Sequence, residues 1–293
     1  MCTFCTDVGH GERWYMNFEN YLYRKIFPEP EDLERAKQSH LKALADTDRY
    51  GDPAYNHDVE YLRQKYVSMP GQVITLEEAN RVMDIAEEAA RREDTLVVLA
   101  RCNCALEFRG QMDYRCIVFG IPVSWSSELG YSRYPNEGLT EFGGAQWREL
   151  RRELTRGRKV PFTAADAREL LQLWDKKGLH HTLVSRGVLP LIDGICNCEA
   201  PYCMRIRHRR MHSIQNVLLK GHTVARVDPT ACNLCGACAR HCGFGAIRVS
   251  PWSELVHIDP TLCYGCGLCR GVCKPNAISM VEREMVPAAR DLW

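Results

Sequence analysis

Trp14, Phe18, Tyr21, Leu22 and Ile26 recur at helical spacing near the start of the chain, and Pro28 with Pro30 closes that run. Leu33, Ala36, Leu41 and Leu44 keep the same rhythm and predict a second helix to about Ala45. Turn-forming residues fill Asp46 to Pro53, Val59 to Tyr66 reads as a short helix, and Pro70-Gly71 breaks the pattern. Beyond that break the periodicity mixes. Thr75 followed by Glu78 is a capping-box signature, and Leu76, Ala79, Val82, Met83 and Ala86 share one face of the helix behind it. Thr95 to Arg101 is an apolar run bounded by charge, as in a buried strand, and Cys116 to Pro122 is a second candidate. Thr163 opens another helix, with Leu170, Leu171 and Trp174 as its stripe and Gly178 as its stop. Val188 to Ile192 suggests a third strand, and Glu128 to Gly144 (Gly, Ser, Tyr and Pro) a long surface loop. The expected division is a helical segment over 1–70, an α/β domain over 71–221 and a cysteine-rich domain over 222–293.

Composition narrows the class. The chain has 293 residues, 45% of them hydrophobic, which is ordinary for a globular protein of two or three domains. No stretch reaches the roughly 20 apolar residues a membrane helix needs. Sixteen cysteines behind a start that lacks a basic, apolar export signal point to a reducing, cytoplasmic setting with thiols held by metal. The net charge of +1 hides a split: residues 1–100 carry 12 basic and 19 acidic side chains, and residues 101–221 carry 19 and 12. Such asymmetry suggests docking between segments or complementary faces for other proteins.

Two cysteine runs share one spacing: Cys232-x2-Cys235-x2-Cys238-x3-Cys242 and Cys263-x2-Cys266-x2-Cys269-x3-Cys273. Every ligand recurs at an offset of 31 residues, as do the flanks, Val227-Asp228-Pro229-Thr230 against Ile258-Asp259-Pro260-Thr261. Structural zinc prefers two separated pairs, and disulfides need an oxidising compartment; the third cysteine of each run fits an iron-sulfide cube instead. Residues 222 to 293 resemble the bacterial-type ferredoxins that carry two [4Fe-4S] clusters. That resemblance assigns one cluster to Cys232, Cys235, Cys238 and Cys273, and the other to Cys263, Cys266, Cys269 and Cys242. It implies an α+β chain in which a C-terminal dicluster domain follows the helical segment and the α/β domain. The family usually places proline directly after the fourth cysteine, where this chain has Gly243 and Lys274-Pro275. Arg240, His241, Arg270 and Lys274 flank the ligands and are expected to raise the reduction potentials.

Six further cysteines lie in the middle: Cys102, Cys104, Cys116, Cys196, Cys198 and Cys203. Cys102 and Cys104 follow a predicted strand and Cys196 and Cys198 another apolar run, so a βα-type sheet would gather both pairs at one edge. The elements Arg101-Cys102-Asn103-Cys104, Gly178-Leu179-His180-His181 and Ile195-Cys196-Asn197-Cys198 resemble an uncharacterised set of iron-sulfur proteins of anaerobic bacteria and archaea. In those relatives the last element is richer in cysteine; here Glu199 follows, and Cys203 is the next thiol. A third [4Fe-4S] cluster on four of the six is the leading reading, with Cys104, Cys116, Cys198 and Cys203 as one possible set. A larger cluster, structural zinc and unligated core thiols are the others.

Several features stay open. Cys2-x2-Cys5 with His10 lacks a complete local ligand set, so ordinary thiols and ligation stand level. His180 and His181, beyond a helix stop, read as loop residues. Arg205, Arg207, His208, Arg209 and Arg210 suit a solvated or partner-facing patch, compensation of an anionic cluster, or nucleic acid. Arg148, Arg151, Arg152, Arg156, Arg158 and Lys159 read as decorating a helix and its following turn. Neither basic run has interleaved aromatics, and no Gly-x-Gly-x-x-Gly, Walker loop, serine elbow or haem motif appears, so flavin and nicotinamide lack support. The expected function is one-electron relay through two or three [4Fe-4S] clusters, as a subunit or partner of an anaerobic oxidoreductase complex. The alternatives are a reductase or cofactor-activating enzyme with a reactive middle cluster, and a redox-responsive nucleic-acid-binding protein.

Overall fold

Strands that bury both faces read as continuous apolar runs, and the centre of this molecule is built from such strands. The computed structural model describes residues 2–110, 113–129, 162–185, 189–250, 252 and 254–293. Five strands form one sheet: β1 (Gly71–Ile74), β2 (Thr95–Arg101), β3 (Tyr114–Pro122), β4 (His180–Val184) and β5 (Gly194–Cys198), in the order β1-β4-β5-β3-β2. Every neighbouring pair is antiparallel. The βα-type sheet expected from the sequence is therefore corrected: the arrangement is α+β with an antiparallel centre. Apolar runs such as TLVVLAR reveal burial but not strand direction.

Two helices, Leu76–Glu93 and Ala164–Lys176, pack side by side on one face of the sheet. Both start on complete capping boxes, Thr75 with Glu78 and Thr163 with Asp166, which satisfy amide donors that the first helical turn leaves free. Ile117, Phe119, Leu183 and Ile195 point toward them. The opposite face, bearing Val98, Val118, Cys116 and Cys198, is covered by the helices Pro30–Thr47, Val59–Ser68 and Met204–His212. Pleating puts alternate residues on these two sides.

Three expectations fail for tertiary reasons. The run from Trp14 to Ile26 is not one helix but two single turns, Trp14–Met16 and Phe18–Tyr21, and a short helix, Tyr23–Ile26. Trp14, Tyr15 and Tyr21 enter the main core while Tyr23 packs in a separate cluster, and side-chain bonds replace helical ones: the Trp14 Nε1–H donates to Gln72 Oε1 and the Tyr21 hydroxyl to the Tyr15 carbonyl. The third strand lies at Gly194–Cys198, not Val188–Ile192, so Cys196 and Cys198 belong to the strand itself. His180 and His181 likewise stand inside β4, both buried, rather than in a loop. Most of the proposed Glu128–Gly144 loop and all of the second basic run lie outside the described residues.

The C-terminal part holds two small antiparallel pairs: β6 (Thr223–Val227) with β9 (Ile278–Glu282), and β7 (Ile247–Ser250) with β8 (Leu255–Ile258). It is fastened to the sheet through Leu219, which bridges to Gln72 at the β1 edge. Arg283, fully buried, donates to the carbonyls of Gly221, Thr223, Cys263 and Leu292. Among the described residues no helix is long and apolar enough to cross a membrane.

Candidate metal centres

The C-terminal cysteine loops are wound by left-handed residues at equivalent places. Leu234 and Gly265, Gly236 and Gly267, and Gly245 and Asn276 all have φ between 55° and 80°, each pair 31 residues apart. Such turns coil three thiols inward and send the fourth across. The fourth cysteines are treated alike: the Ala246 amide donates to Cys242 Sγ at 3.3 Å, and the Ala277 amide to Cys273 Sγ at 3.2 Å. Cys263, Cys266, Cys269 and Cys242 line one small cavity, with Ile247 and Ile258 as its apolar wall. Burial, reinforced by Cys263, Cys242 and Cys238, pushes the Cys269 thiol up to about 12. Burial raises Cys266 as well. Protonated thiols are thus favoured until a cation compensates the thiolates, the behaviour expected of metal ligands. Cys238 is raised by burial and by the nearby Cys232 and Cys273. Cys242 thus sits with Cys263, Cys266 and Cys269, and Cys238 lies near Cys232 and Cys273.

The six middle cysteines come together by strand register. Cys116 on β3 stands opposite Cys196 on β5, and Cys198 opposite His180 on β4, so all four side chains share the sheet face away from the Leu76–Glu93 helix. Cys116 and Cys196 place their sulfurs 3.6 Å apart. Cys102 ends β2 and Cys104 sits in the first turn of the helix behind it; Cys203 caps the helix Met204–His212. Cys104, Cys116 and Cys198 all bond to Cys102, holding its thiol well below the usual range, and Cys203 is lowered by its bond from Cys198. Cys102, Cys116, Cys198 and Cys203 are buried, and Cys104 and Cys196 half-buried.

This spread discriminates between metals. Two thiolates about 2.3 Å from one zinc ion cannot lie more than about 4.6 Å apart. Among the described residues, no three of these six sulfurs fall within 4.8 Å of one another; nor do three ferredoxin-loop sulfurs. Neither group therefore offers three thiols to a single ion. On the same face Thr182 Oγ1 is buried without a hydrogen-bond partner, and the buried His180 stands beside Cys203, whose thiol it helps to lower.

The thiol face and the ferredoxin loops abut. The His180 ring meets Phe244 edge-on at 5.3 Å, and Phe244 stacks on Tyr264 at 4.1 Å. Phe244 follows Cys242 by two residues, and Tyr264 lies between Cys263 and Cys266. A Cβ on Gly243 would come within 2.8 Å of the Ala200 Cβ, so the position that usually holds proline in ferredoxins is here pressed against the strand-to-helix turn. The sequence reading puts His180 in a loop and has no signal for Thr182 and Phe244. The two-residue spacing of Cys196 and Cys198 was the available signal, since in a strand it puts both on one face.

The basic helix Met204–His212 turns inward. Arg205 donates to the carbonyls of Met69 and Val217, Arg209 to those of Gln215, Leu218 and Trp293, and Arg210 to that of Gly243. Arg207 lies over the Phe108 ring. Arg270 pairs with Glu77 of the Leu76–Glu93 helix, and Arg168 with Asp84 and Glu87, so part of the charge split is answered within the molecule. His10 is exposed and does not join Cys2 and Cys5.

No curated protein and no solved structure matches the chain. A family model described as a 4Fe-4S binding domain matches residues 225–248 and 256–279, one match for each cysteine run. Residues 225–279 thus form a ferredoxin-type domain, and with it the chain has iron-sulfur electron-transfer capability.

Proposed function

We propose that this protein is an electron relay with three [4Fe-4S] sites, two in the ferredoxin-type domain and one on the thiol face of the central sheet, serving a protein redox partner. Bound clusters supply one-electron chemistry at potentials set by burial, charge and hydrogen bonds to sulfur. The observation that carries the reading is the adjacency of the six-thiol face to the Cys242 loop, through His180, Phe244 and the close approach of Gly243 to Ala200. Cys102, Cys116, Cys198 and Cys203, the four buried thiols of that face, are the ligands we assign to the third site. The other two sites take Cys232, Cys235, Cys238 and Cys273 in one set, and Cys263, Cys266, Cys269 and Cys242 in the other. The fully buried Arg283 guanidinium, held to the Cys263 carbonyl, offsets anionic charge at that end. Burial lowers it only to about 10, so it stays charged at neutral pH. A division into 1–70, 71–221 and 222–293 remains a useful description of the parts, with the last two in contact through the Arg270–Glu77 ion pair and the His180–Phe244 rings.

Coulometric titration of the anaerobic holoprotein tests this. Uptake of about three electrons per chain, falling to about two in Cys198→Ala, supports the relay. Uptake of about two in both removes the third site. One observation favours a second reading, a reactive cluster in a reductase of small molecules or of a partner's cofactor: the buried His180 imidazole set against the Cys203 thiol, which it lowers. Spectral change of the reduced protein on adding cyanide or carbon monoxide would favour that enzyme; an unchanged spectrum favours the relay.

A further inference from the structure

Apart from all these thiols, one group of side chains has the spacing of a single bound ion. Cys2 caps the short helix Thr3–Asp7 and Cys5 lies in its first turn, with their sulfurs 3.0 Å apart. His222 arrives from 217 residues away and sets Nε2 3.4 Å from Cys5 Sγ. The three ligand atoms all lie within 4.8 Å of one another, and all three residues are buried. No other three described Cys, His, Asp or Glu side chains meet that criterion.

We propose that Cys2, Cys5 and His222 bind one zinc ion that clamps the N-terminal turn to the entrance of the ferredoxin-type domain. Tetrahedral zinc with Zn–S of about 2.3 Å and Zn–N of about 2.0–2.1 Å requires sulfurs about 3.8 Å apart and sulfur to nitrogen about 3.5 Å. The nitrogen distance already agrees, and the sulfur pair opens by less than about 1 Å to accept the ion. A disulfide would need the sulfurs at about 2.05 Å, further from the present geometry in the opposite direction. The Cys5 amide donates to Cys2 Sγ at 3.4 Å, a bond that favours the thiolate a metal requires. A cubane does not fit, because the three atoms are too close together to surround its several-ångström core.

The wall of the site is finished. Tyr15 and Trp293 pack on the His222 ring with centroids 5.5 and 5.0 Å away. Gln72 reaches within 3.5 Å of His222 Nε2 while its amide is held by Trp14 and the Lys220 carbonyl, which keeps it from being a ligand itself. With three protein ligands, the fourth position belongs to water or a small exogenous ligand. His222 sits where the chain passes from the sheet edge into β6, and its carbonyl accepts from the Arg283 amide. The ion would thus join two segments that packing alone brings together.

The test uses full-length holoprotein, purified anaerobically with zinc in the medium. Zinc should be present at about one per chain, and absorption at the zinc edge should show two sulfur neighbours at about 2.3 Å and one nitrogen at about 2.0–2.1 Å. In C5S and H222Q zinc should fall to background while iron and sulfide stay at the wild-type level; H222C should restore it. Wild-type protein without zinc, zinc retained in both variants, or an edge spectrum with sulfur neighbours alone would each overturn the proposal. The edge spectrum decides on the unmutated chain even if a variant fails to fold.

Discussion

The ferredoxin loops and the thiol face of the sheet gather sulfur by opposite means. In the loops, four cysteines of each run lie within 11 consecutive residues, and left-handed turns repeated at an offset of 31 fold them inward. On the sheet, Cys102 and Cys203 are a hundred residues apart in sequence, and only the pairing of β3, β4 and β5 brings their neighbours opposite one another. The first site depends on local winding and the second on register. A one-residue slip of β5 would send Cys196 and Cys198 to the other face. The loops therefore need their metal to hold a small core together, whereas the sheet has its own apolar core and only lends a surface.

Substitutions of ligands probe this contrast most strongly. Cys266→Ala should remove about 4 iron atoms per chain and loosen residues 222–293, whose core consists largely of cysteines and short strands. Loss of the visible charge-transfer band and proteolysis confined to that part are the readouts. Cys198→Ala should also remove about 4 iron atoms, yet leave the sheet folded by circular dichroism and the ferredoxin signals intact. If instead it unfolds the sheet, the two regions are alike and the contrast fails.

The joint between them is the next target. Arg283→Met leaves the buried carbonyls of Gly221, Thr223 and Cys263 short of a donor and should cost about 3 kcal/mol, measured by denaturant titration of the holoprotein. Gly243→Val must displace Ala200 and should cost about 1–3 kcal/mol while slowing electron equilibration between the two regions. An unchanged rate would show that the contact is not part of the path.

The smallest effect is a pH dependence. Burial, helped by His212, Lys65, Arg205 and Arg207, holds His208 down to about 3, between the Tyr66 hydroxyl and Asn56. The unfolded side chain titrates near about 6.5. Over that window the folded state binds fewer protons, so stability is full above about 6.5 and falls as pH drops toward about 3. His208→Gln should flatten this acid limb relative to wild type; parallel limbs would assign the acid sensitivity elsewhere.

The same contrast explains what the sequence disclosed. Cluster loops, the capping box at Thr75, the helix start at Thr163 and the strand Thr95–Arg101 are short-range patterns, and each appears where expected. Spacing and the 31-residue repeat carry the iron-sulfur reading of the last domain, which the family match supports. By contrast, β5 was displaced to Val188–Ile192, because Cys196 and Cys198 were weighed as ligands and not as strand residues. His180 looked like a loop residue beyond Gly178, though that glycine, at φ 82°, turns the chain directly into β4. His222 could not be found from the Cys2–Cys5 pair at all, since the partner is distant in sequence and His10 was the nearer candidate. Antiparallel pairing is likewise a property of the whole sheet.

Iron and acid-labile sulfide, counted per chain on anaerobically purified protein with the ferredoxin clusters confirmed by their reduced spectrum, go to the centre of the account. Three cluster sites predict about 12 iron and about 12 sulfide. About 8 of each, with the six middle cysteines all open to alkylation in the native protein, would contradict it.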